Sequence, residues 1–337
     1  MSNLYKTNHQ SQPPVFDVNN IFQDSFNFNN AAFQLFNYQF NNNKVYRDWC
    51  NAIGNTPDNV NSLPEIAFLP ISFFKTHNIT TGSFEPSVVF TSSGTTQSST
   101  SRHLVKDTAL YEKSFVTAFE RVYGSTSNYC IIGLLPAYLE RAGSSLVYMV
   151  NKMIGLSGHS SSGFYLNQLE ELAGLLQQLE AQGQPTLLIG VTFALLDFAE
   201  SHKLQLNHTI IMETGGMKGR RREQTRQEVH EILGNSFGVS TIHSEYGMTE
   251  LLSQAYSRGA GRFVCPPWMK VLVRDEEDPL TVKNTGTGIL NIIDLANADS
   301  CAFIATDDVG IVHEDGSFEV WGRMDNSDIR GCSLLVV

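Results

Sequence analysis

The chain has 337 residues, 42% of them hydrophobic and 17% charged, and its 23 basic and 34 acidic side chains give a formal charge of −11. This acidic balance disfavours a nucleic-acid partner, because proteins that bind a phosphate backbone normally present a basic face. The five cysteines include no CxxC pair, which is typical of a reducing cytosol and argues against a disulfide-stapled scaffold. Without a run of about 18 apolar residues or a signal-peptide pattern, the sequence predicts a cytoplasmic globular protein with no transmembrane segment.

The sequence predicts that residues 1–80 form a mostly helical N-terminal segment, which packs on the rest of the chain. This segment is rich in Asn, which by itself suggests disorder. Seven Phe side chains between Phe16 and Phe40 argue the other way, since aromatic residues usually enter a core. Residues 44–53 carry apolar side chains at the i, i+3, i+4 and i+7 positions of one helix face.

Strand and helix patterns alternate from residue 87 to residue 233. Short β-rich or apolar runs predict strands at 87–91, 129–135, 186–190 and 209–213. Periodic apolar positions predict helices around 111–122 and at 169–179, 193–201 and 221–233. Such alternation favours an α/β fold with a largely parallel sheet. After about residue 262 the pattern changes to strands and turns, with a hairpin signal at 314–316.

A loop of small hydroxyl residues follows the first of these strands. Residues 91–96 read Thr-Ser-Ser-Gly-Thr-Thr, and their N–H and hydroxyl groups can surround phosphate oxygens. The loop is not a P-loop, because no lysine follows a glycine at the required place. In isolation, a Ser/Thr-rich surface linker is the more common explanation of such a stretch.

Two later segments can also contribute to a nucleotide site. Residues 244–250 read Ser-Glu-Tyr-Gly-Met-Thr-Glu, which offers a ring to stack on a base and a carboxylate for Mg²⁺. Residues 305–310 and 321–325 offer carboxylates for ribose hydroxyls and an arginine for ribose or phosphate. Taken singly, an ordinary strand-to-loop turn and a polar β-meander explain these segments as well.

Together and in this order, the three segments resemble the adenylate-forming superfamily of acyl-CoA synthetases, luciferases and peptide-synthetase adenylation domains. They match its TSSGTTG loop, its YGxTE motif and its TGD…DG…GRxDD stretch, and the resemblance covers residues 87–331. Three further runs are similar to the acyl-protein synthetases of bacterial bioluminescence, with phenylacetate-CoA ligases as the nearer cousins: FLPISFFK at 68–75, LLPAYLER at 134–141 and DNSDIRGC at 325–332.

The resemblance implies a fold and a domain organisation. The fold is the α/β large-domain fold of adenylate-forming enzymes, with sheets flanked by helices and a strand-rich C-terminal part. Residues 1–80 would be the helical lead-in, 81–324 the core domain, and 325–337 a hinge remnant with a tail that carries Cys332. The small C-terminal domain of the superfamily, with its catalytic lysine, has no counterpart, a feature shared with acyl-protein synthetases.

The resemblance also implies an ATP-dependent, AMP-forming acid–thiol ligase. Such an enzyme activates a fatty or related carboxylic acid to an acyl-adenylate and then transfers the acyl group to a thiol, here expected to be Cys332. Two alternatives stay open: a phenylacetate-type carboxylate-CoA ligase and a non-catalytic module that binds acyl-adenylate. An acyl reductase or a thioesterase would be the partner protein. An apolar slot for the acyl tail is expected among Tyr138, Leu139, Phe164, Tyr165 and Phe193.

Roles carried over from the family name the expected site. Thr249 would contact the α-phosphate, Glu250 would bind Mg²⁺, and Cys332 would accept the acyl group, so these three are the candidate catalytic residues. Asp308 would bind the ribose with Arg323 beside it. The other expected ATP-binding residues are Ser92, Ser93, Gly94, Thr95 and Thr96 for the β- and γ-phosphates, Gly215 and Gly216 along the adenine, Tyr246 stacked on the adenine, and Gly247. The lysine that normally follows the phosphate loop is missing, and Arg102 is a candidate substitute.

Overall fold

The structure, a computed structural model, describes residues 16–92, 100–135, 143–215 and 224–324. The helices in these ranges follow the predicted apolar stripes closely, and α2 has the predicted bounds. They are α1 (Phe28–Asn42), α2 (Lys44–Ile53), α3 (Phe73–Thr76), α4 (Thr108–Tyr123), α5 (Ser145–Ser157), α6 (Leu169–Ala181), α7 (Thr192–Ser201) and α8 (Arg226–Phe237). Short 3₁₀ turns lie at Val18–Phe22, Leu63–Glu65 and Thr126–Asn128.

The four strands predicted between residues 87 and 213 are present, and those at Thr186–Gly190 and Thr209–Glu213 have the predicted bounds. Several short strands, among them β1, β3 and β5, were not predicted. In chain order the strands are β1 (Leu69–Pro70), β2 (Val88–Thr91), β3 (Arg102–Val105), β4 (Cys130–Leu134), β5 (Gly163–Phe164), β6 (Thr186–Gly190), β7 (Thr209–Glu213), β8 (His243–Tyr246), β9 (Ala255–Ser257), β10 (Phe263–Val264), β11 (Met269–Arg274), β12 (Val282–Lys283), β13 (Gly286–Asp294), β14 (Phe303–Val312) and β15 (Phe318–Arg323).

Helix α8 differs from its prediction because its end groups decide its bounds. The Thr225 hydroxyl oxygen accepts from the Glu228 N–H, and the Glu228 carboxylate accepts from the Thr225 N–H, which together form a capping box. The helix then continues to Phe237 and ends at Gly238, whose φ of 65° only glycine adopts readily. Apolar periodicity alone places the end four residues too early, at residue 233.

Most strands join one long mixed sheet in the order β12-β11-β13-β14-β15-β10-β9-β8-β7-β6-β4-β5. The pairs from β8 to β5 are parallel, whereas the pairs from β8 to β12 are antiparallel. The largely parallel sheet that was predicted therefore describes one half of the molecule. The strand-rich C-terminal part continues the same sheet, and β2 pairs with β3 apart from it.

The parallel half is buried on both faces, which explains its continuous apolar runs. Successive residues of a strand face opposite sides, so Ile131 enters one core and Ile132 the other. The first core includes side chains of α4 and α5, and the second is built with α6, α7 and α8. This is the helix–sheet–helix layering that the alternating pattern predicts.

The N-terminal helices pack on the antiparallel half. Tyr46 of α2 stacks on Phe303 of β14, and Phe36 of α1 meets the same ring edge-on. Gln39 of α1 is fully buried and donates its amide N–H groups to the carbonyls of the turn at 297–300, at 3.0 to 3.2 Å. Helix α1 thus holds a turn of the sheet half that is distant in sequence. The domain boundary at residue 80 stays a prediction.

The fold gathers several strand ends at one place. The carboxyl ends of parallel strands share one edge of a sheet, and β4, β6, β7 and β8 end there. The segments that follow β6, β7 and β8 include Val191, Gly215 and Gly247. None of the helices in the described ranges combines the length and apolar character that a membrane crossing requires.

Candidate active site

A cavity of about 170 Å³ lies at this edge of the sheet. Its lining includes Gly215, Gly247 and Thr249, three of the predicted site residues. Thr91, the first residue of the hydroxyl-rich loop, and Ser144, the N-cap of α5, complete the polar rim. The apolar lining comes from Leu146, Met149, Val191 and Met248. The cavity therefore joins the first two of the three motifs.

The base of the hydroxyl-rich loop is closed by hydrogen bonds. Ser92 N–H donates to the Ser101 carbonyl at 3.1 Å, and Ser101 N–H donates to Ser92 Oγ at 2.9 Å. The Thr91 N–H donates to the Gly143 carbonyl at 2.7 Å, which ties the loop base to the start of α5. Of the predicted phosphate-binding residues, Ser92 is described, and Ser93, Gly94, Thr95 and Thr96 lie outside the described residues. Arg102 is exposed at the start of β3.

The backbone of Thr249 and Glu250 is held by two buried polar side chains. His103 Nδ1 lies 2.8 Å from the Thr249 carbonyl oxygen, and His103 Nε2 lies 3.0 Å from Asn297 Oδ1. Asn297 Nδ2 donates to the Glu250 carbonyl at 2.8 Å. Burial lowers the pKa of His103 to about 4, although both contacts favour its protonation. The YGMTE segment is thus fixed to β3 and to the turn after β13.

The Glu250 side chain is buried at 5% exposure, and its carboxyl is hydrogen-bonded to Ser101. Burial raises the pKa of this carboxyl, while Ser101 and the nearby Arg323 act in the opposite direction. A carboxylate oxygen suits Mg²⁺, which is usually held by one or two carboxylates together with substrate phosphates. Within the described ranges no group of three His, Cys, Asp or Glu could hold a metal by itself. Glu250 fits a magnesium site of this shared kind.

The second and third motifs meet through Asp308. The Tyr246 hydroxyl donates to Asp308 Oδ2 at 2.7 Å, and Arg323 Nε donates to Asp308 Oδ1 at 3.0 Å. Asp308 of β14 pairs with Arg323 of β15 in the sheet register, which explains their contact. Asp307, the neighbouring residue, lines a different cavity with Arg274, as expected from strand alternation. Asp308 is therefore the acidic residue that the structure places beside the YGMTE segment.

The ring of Tyr246 is largely covered by protein. It packs edge-on against Phe318 and at a tilt against Phe263, and the residue is 8% exposed. Burial and the adjacent Asp308 raise the pKa of its hydroxyl well above the ordinary value. The hydroxyl therefore acts as a hydrogen-bond donor that orients Asp308. Stacking of this ring on adenine stays a prediction.

Gly215 follows β7 in a left-handed conformation with φ of 73°, and a Cβ at this position would face open space. Its N–H donates to Glu213 Oε2 at 2.7 Å. Burial opposes ionisation of Glu213, but the nearby His230, 3.6 Å away, and the charge of Arg226 outweigh it and lower the pKa of Glu213 to about 2. A buried, ionised carboxylate thus fixes the glycine turn. Gly216 lies outside the described residues.

The cysteines with described positions are poor nucleophiles. Burial raises the pKa of Cys130 and of Cys301, and it raises the pKa of Cys50 and of Cys265 to about 12. A thiol must lose its proton to attack, so these four suit the core role expected for them. Cys332, the predicted acyl acceptor, lies outside the described residues.

The predicted apolar slot does not match the lining of the cavity. Phe164 packs against Gly133, and the Tyr165 hydroxyl donates to the Ser161 carbonyl at 3.0 Å. Phe193 contacts the second core, on the other face of the sheet. Tyr138 and Leu139 lie outside the described residues. The apolar lining instead comes from helix α5 and the segments after β6 and β8, as given above.

Several residues of the site carried no signal that the sequence could reveal. His103 reads as a lone histidine in a short strand, and Asn297 as one polar residue of a turn. Both act through contacts with residues more than 40 positions away. A larger groove of about 1100 Å³ lies between α8 and β15, beside Arg226 and Trp321, and no predicted site residue is among its described lining. We therefore assign the site to the smaller cavity, where the motifs meet.

Comparison with known proteins agrees with this geometry. Residues 18–337 match the family described as acyl-protein synthetase, LuxE. Two relatives are long-chain-fatty-acid–luciferin-component ligases. The one from Aliivibrio fischeri is 23% identical, with 89% of this chain and 85% of the relative covered. The one from Vibrio harveyi is 22% identical, and the match covers 89% of this chain and 84% of the relative.

Solved structures with the same fold are adenylate-forming ligases. A 2-hydroxyisobutyryl-CoA ligase in complex with 2-HIB-AMP superposes with a TM-score of 0.60 at 12% identity, covering 88% of this chain and 68% of that one. ATP-bound MatB from Rhodopseudomonas palustris gives a TM-score of 0.54 at 15% identity, covering 83% and 58%. The chain spans about half the length of ATP-bound MatB chimeras that it also matches, at 47%.

These findings confirm the predicted family and the predicted α/β fold of adenylate-forming enzymes. An enzyme of this kind is an AMP-forming ligase, which activates a carboxylic acid by adenylation with ATP and then transfers the acyl group. The chain belongs to the LuxE family of acyl-protein synthetases.

Proposed function

We propose that this chain adenylates a fatty or related carboxylic acid at the 170 Å³ cavity and then carries the acyl group as a thioester on Cys332. The observation that carries the proposal is the contact between the motifs. Asp308 is bound by Tyr246 and Arg323, and the Thr249–Glu250 backbone is bound by His103 and Asn297. Segments far apart in sequence thus form one polar site beside a partly apolar cavity.

Asp308 would bind the ribose of ATP. Each of its oxygens accepts one hydrogen bond from the protein, at 2.7 Å from Tyr246 and at 3.0 Å from Arg323. A carboxylate has about four acceptor positions, so two remain for the ribose hydroxyls. The two protein donors hold the carboxylate in one orientation before the nucleotide arrives, which lowers the entropy lost on binding.

Thr249 would contact the α-phosphate, and Glu250 would hold Mg²⁺ together with phosphate oxygens. A bound Mg²⁺ neutralises charge on the phosphates. Ser92 and the loop that follows it would bind the β- and γ-phosphates, and the turn at Gly215 and Gly247 would lie along the nucleotide. These roles agree with the shared cavity lining of Gly215, Gly247 and Thr249.

The chemistry would proceed in two transfers. In the first, a carboxylate oxygen of the acid bonds to the α-phosphorus of ATP, the bond to the β-phosphate oxygen breaks, and pyrophosphate leaves. In the second, the thiolate of Cys332 bonds to the acyl carbon, and AMP leaves with the electron pair of the broken C–O bond. Neither transfer needs a dedicated acid–base pair, since positioning and charge neutralisation supply most of the catalysis.

Within this proposal, residues 81–324 act as the adenylate-forming domain and residues 325–337 as the hinge remnant and tail that present Cys332. An acyl reductase or a thioesterase that collects the thioester would be the protein partner. The names of the two curated relatives, both long-chain-fatty-acid ligases, support a fatty acid as the substrate class.

The test follows a labelled fatty acid onto the protein in the presence of MgATP. We expect label that hydroxylamine releases, and we expect Cys332→Ser to lose the label while it retains acid-dependent ATP–pyrophosphate exchange. Cys265→Ser is the matched control, because Cys265 is a partly exposed thiol whose pKa is raised to about 12 by burial. Label that persists in Cys332→Ser contradicts the thioester assignment. Free acyl-CoA formed on addition of CoA identifies a CoA ligase instead, and nucleotide binding without exchange identifies a non-catalytic module.

A further inference from the structure

One wall of the cavity carries polar groups without partners. Glu245 and Gln254 both line the cavity, at 8% and 3% exposure. Within the described ranges, Gln254 Oε1 is a buried atom without a hydrogen-bond partner. Among the same residues, burial and the charge of Glu213, with no hydrogen bond, set the pKa of the Glu245 carboxyl. Buried polar atoms are nearly always paired, because an unpaired one loses its bond to water without a replacement. This wall therefore suits a polar group that none of the described residues supplies.

The two side chains lie together around Gly247. A Cβ added at Gly247 would come within 2.5 Å of Glu245 Oε1 and 3.4 Å of Gln254 Cγ. Strand pairing sets Glu245 directly opposite Tyr256, so both side chains share one face of the sheet, and the Tyr256 hydroxyl is also unpaired. The polar wall is thus a compact cluster formed by the ends of β8 and β9.

The charge state of the wall limits what it can bind. Burial raises the pKa of Glu245 to about 8, and the negative charge of Glu213 acts in the same direction. At neutral pH the Glu245 carboxyl is therefore mostly protonated, with one O–H to donate. The Gln254 carbonyl oxygen beside it can only accept. Of this cluster, Glu245 and Gln254 line the cavity and Tyr256 does not, so the groups that face the cavity offer one donor and one acceptor, with little negative charge.

We infer that the acid bound in this cavity carries a hydroxyl group on its chain, held between Glu245 and Gln254. A hydroxyl oxygen accepts the bond that Glu245 donates, and the hydroxyl hydrogen goes to Gln254 Oε1, so both protein groups are satisfied at once. An ammonium group would require Glu245 to lose its proton, which burial of the carboxyl opposes. A plain alkyl chain satisfies neither group. The apolar lining by Leu146, Met149 and Met248 receives the carbon chain.

This inference rests on the proposed function and narrows its substrate class from fatty acids in general to hydroxylated ones. Sites built to bond a substrate hydroxyl reject the analogue that lacks it strongly, because the buried protein groups are then left unpaired. The polar wall would therefore act on specificity, while the adenylating residues stay those named above.

The test is ATP–pyrophosphate exchange by the full chain with matched sets of acids. Each set has one chain length and differs in a single substituent: none, a hydroxyl at successive carbons, or an amine. We expect one hydroxy acid to exceed its unsubstituted partner by about 100-fold in kcat/KM. Equal rates for the two, or a preference for the amino acid, would overturn the inference.

Two variants separate the polar wall from the rest of the site. Glu245→Leu removes the donor and should bring the kcat/KM ratio of hydroxylated to unsubstituted acid close to one. Glu245→Gln keeps a donor and should retain most of the preference, which guards against a variant that fails to fold. Glu171→Leu, on the exposed side of α6, is the control and should match the parent. A preference that survives in Glu245→Leu contradicts the inference.

A failure of the proposed adenylating function can be distinguished from a failure of the hydroxyl-binding inference. If no acid supports exchange, the adenylating activity is wrong, and the same acids are then titrated against the protein by calorimetry. Selective binding of a hydroxy acid that Glu245→Leu loses still supports the polar wall as a hydroxyl site. Equal binding of all acids, or no binding, overturns it.

Discussion

Tyr246 and Glu245 are neighbours on one strand, yet they face opposite sides and have opposite hydrogen-bonding states. Tyr246 donates to Asp308 at 2.7 Å, and Arg323 completes that pair from the other oxygen. Glu245 faces the cavity with its carboxyl unbonded by any described residue. The face proposed for the nucleotide is already assembled without ligand, whereas the face proposed for the acid still requires a partner.

This difference suggests that the two faces of β8 have different roles, one toward the nucleotide and the other toward the acid. Residues that serve a cosubstrate common to the superfamily can be fixed by the protein itself. Residues that choose the variable substrate keep unsatisfied groups, and these groups discriminate only when the right ligand satisfies them. Each of the following predictions tests one side of this division.

The largest expected loss of activity comes from a change at Asp308, on the side of β8 proposed to bind the nucleotide. Asp308→Ala removes the proposed ribose ligand and leaves two protein donors unpaired, so kcat/KM for ATP should fall by at least about 100-fold, since each bond to a charged group contributes about 1.5–3 kcal/mol. Steady-state exchange at varied ATP measures this. Asp307→Ala is the control from the opposite face, and similar losses in both variants would show that Asp308 has no special role.

Glu250→Gln should raise the Mg²⁺ concentration needed for half-maximal exchange by at least about 10-fold, because an amide oxygen replaces an anionic ligand. The measurement is a Mg²⁺ titration at saturating ATP. Glu276→Gln, an exposed residue, should leave the titration unchanged. An unchanged Mg²⁺ requirement in Glu250→Gln would contradict the magnesium role.

His103→Ala should lower kcat by roughly 10-fold and leave the affinity for ATP nearly unchanged, because His103 acts by holding the Thr249–Glu250 backbone. The variant also leaves a buried carbonyl and amide without a partner, which costs about 1–3 kcal/mol of stability. His103→Gln restores one of the bonds and should recover part of kcat. If thermal stability falls while kcat is retained, His103 has a structural role alone.

The smallest expected effect is the pH dependence of stability caused by Glu245, on the side of β8 proposed to bind the acid. In the folded protein the pKa of Glu245 is raised to about 8, whereas in the unfolded chain it has its ordinary value of 4.5. Between these two pH values the folded protein therefore holds a proton that the unfolded chain has lost. Its stabilising contribution is therefore complete below about pH 4.5 and is lost as the pH rises toward 8. Between pH 5 and pH 8 the Tm of the parent should fall by a few degrees relative to that of Glu245→Gln. Parallel Tm profiles of the two proteins would show that Glu245 is ionised throughout.

Much of the fold was predictable because it depends on local pattern. Apolar periodicity predicts α2 with its bounds, and continuous apolar runs predict β6 and β7 with theirs. The bounds of α8 differed because a capping box and a C-terminal glycine decide them. Pattern also predicted a parallel sheet but gave no indication that the antiparallel strands join the same sheet, since strand order depends on non-local pairing.

The site was predictable only where a motif carries it. Gly215, Gly247 and Thr249 line one cavity, and Asp308 contacts Tyr246, so the motifs brought together residues that lie close in the fold, while their roles stay predictions. His103 and Asn297 belong to no motif, and their importance comes from contacts across the sheet. The residues that would contact the acid were predicted least well. The sequence offered several apolar candidates without ranking them, and the side chains that line the cavity depend on how α5 packs.

Gln39 of α1 gives the molecule a property that no single motif records. Its amide N–H donates to the carbonyl of Asn297, and the side chain of Asn297 in turn donates to the carbonyl of Glu250. Two consecutive hydrogen bonds thus connect a helix from the first 80 residues to the proposed metal ligand. Asn297 takes part in both hydrogen bonds, so we expect that a change in the position of α1 also changes the backbone at Glu250.

This connection has a consequence for evolution and engineering. A chimera that exchanges the N-terminal helices between relatives inherits a working catalytic loop only if the new helix presents an amide at the position of Gln39. Truncation of the same helices would remove the Gln39 contact to Asn297, and with it one support of the proposed metal ligand.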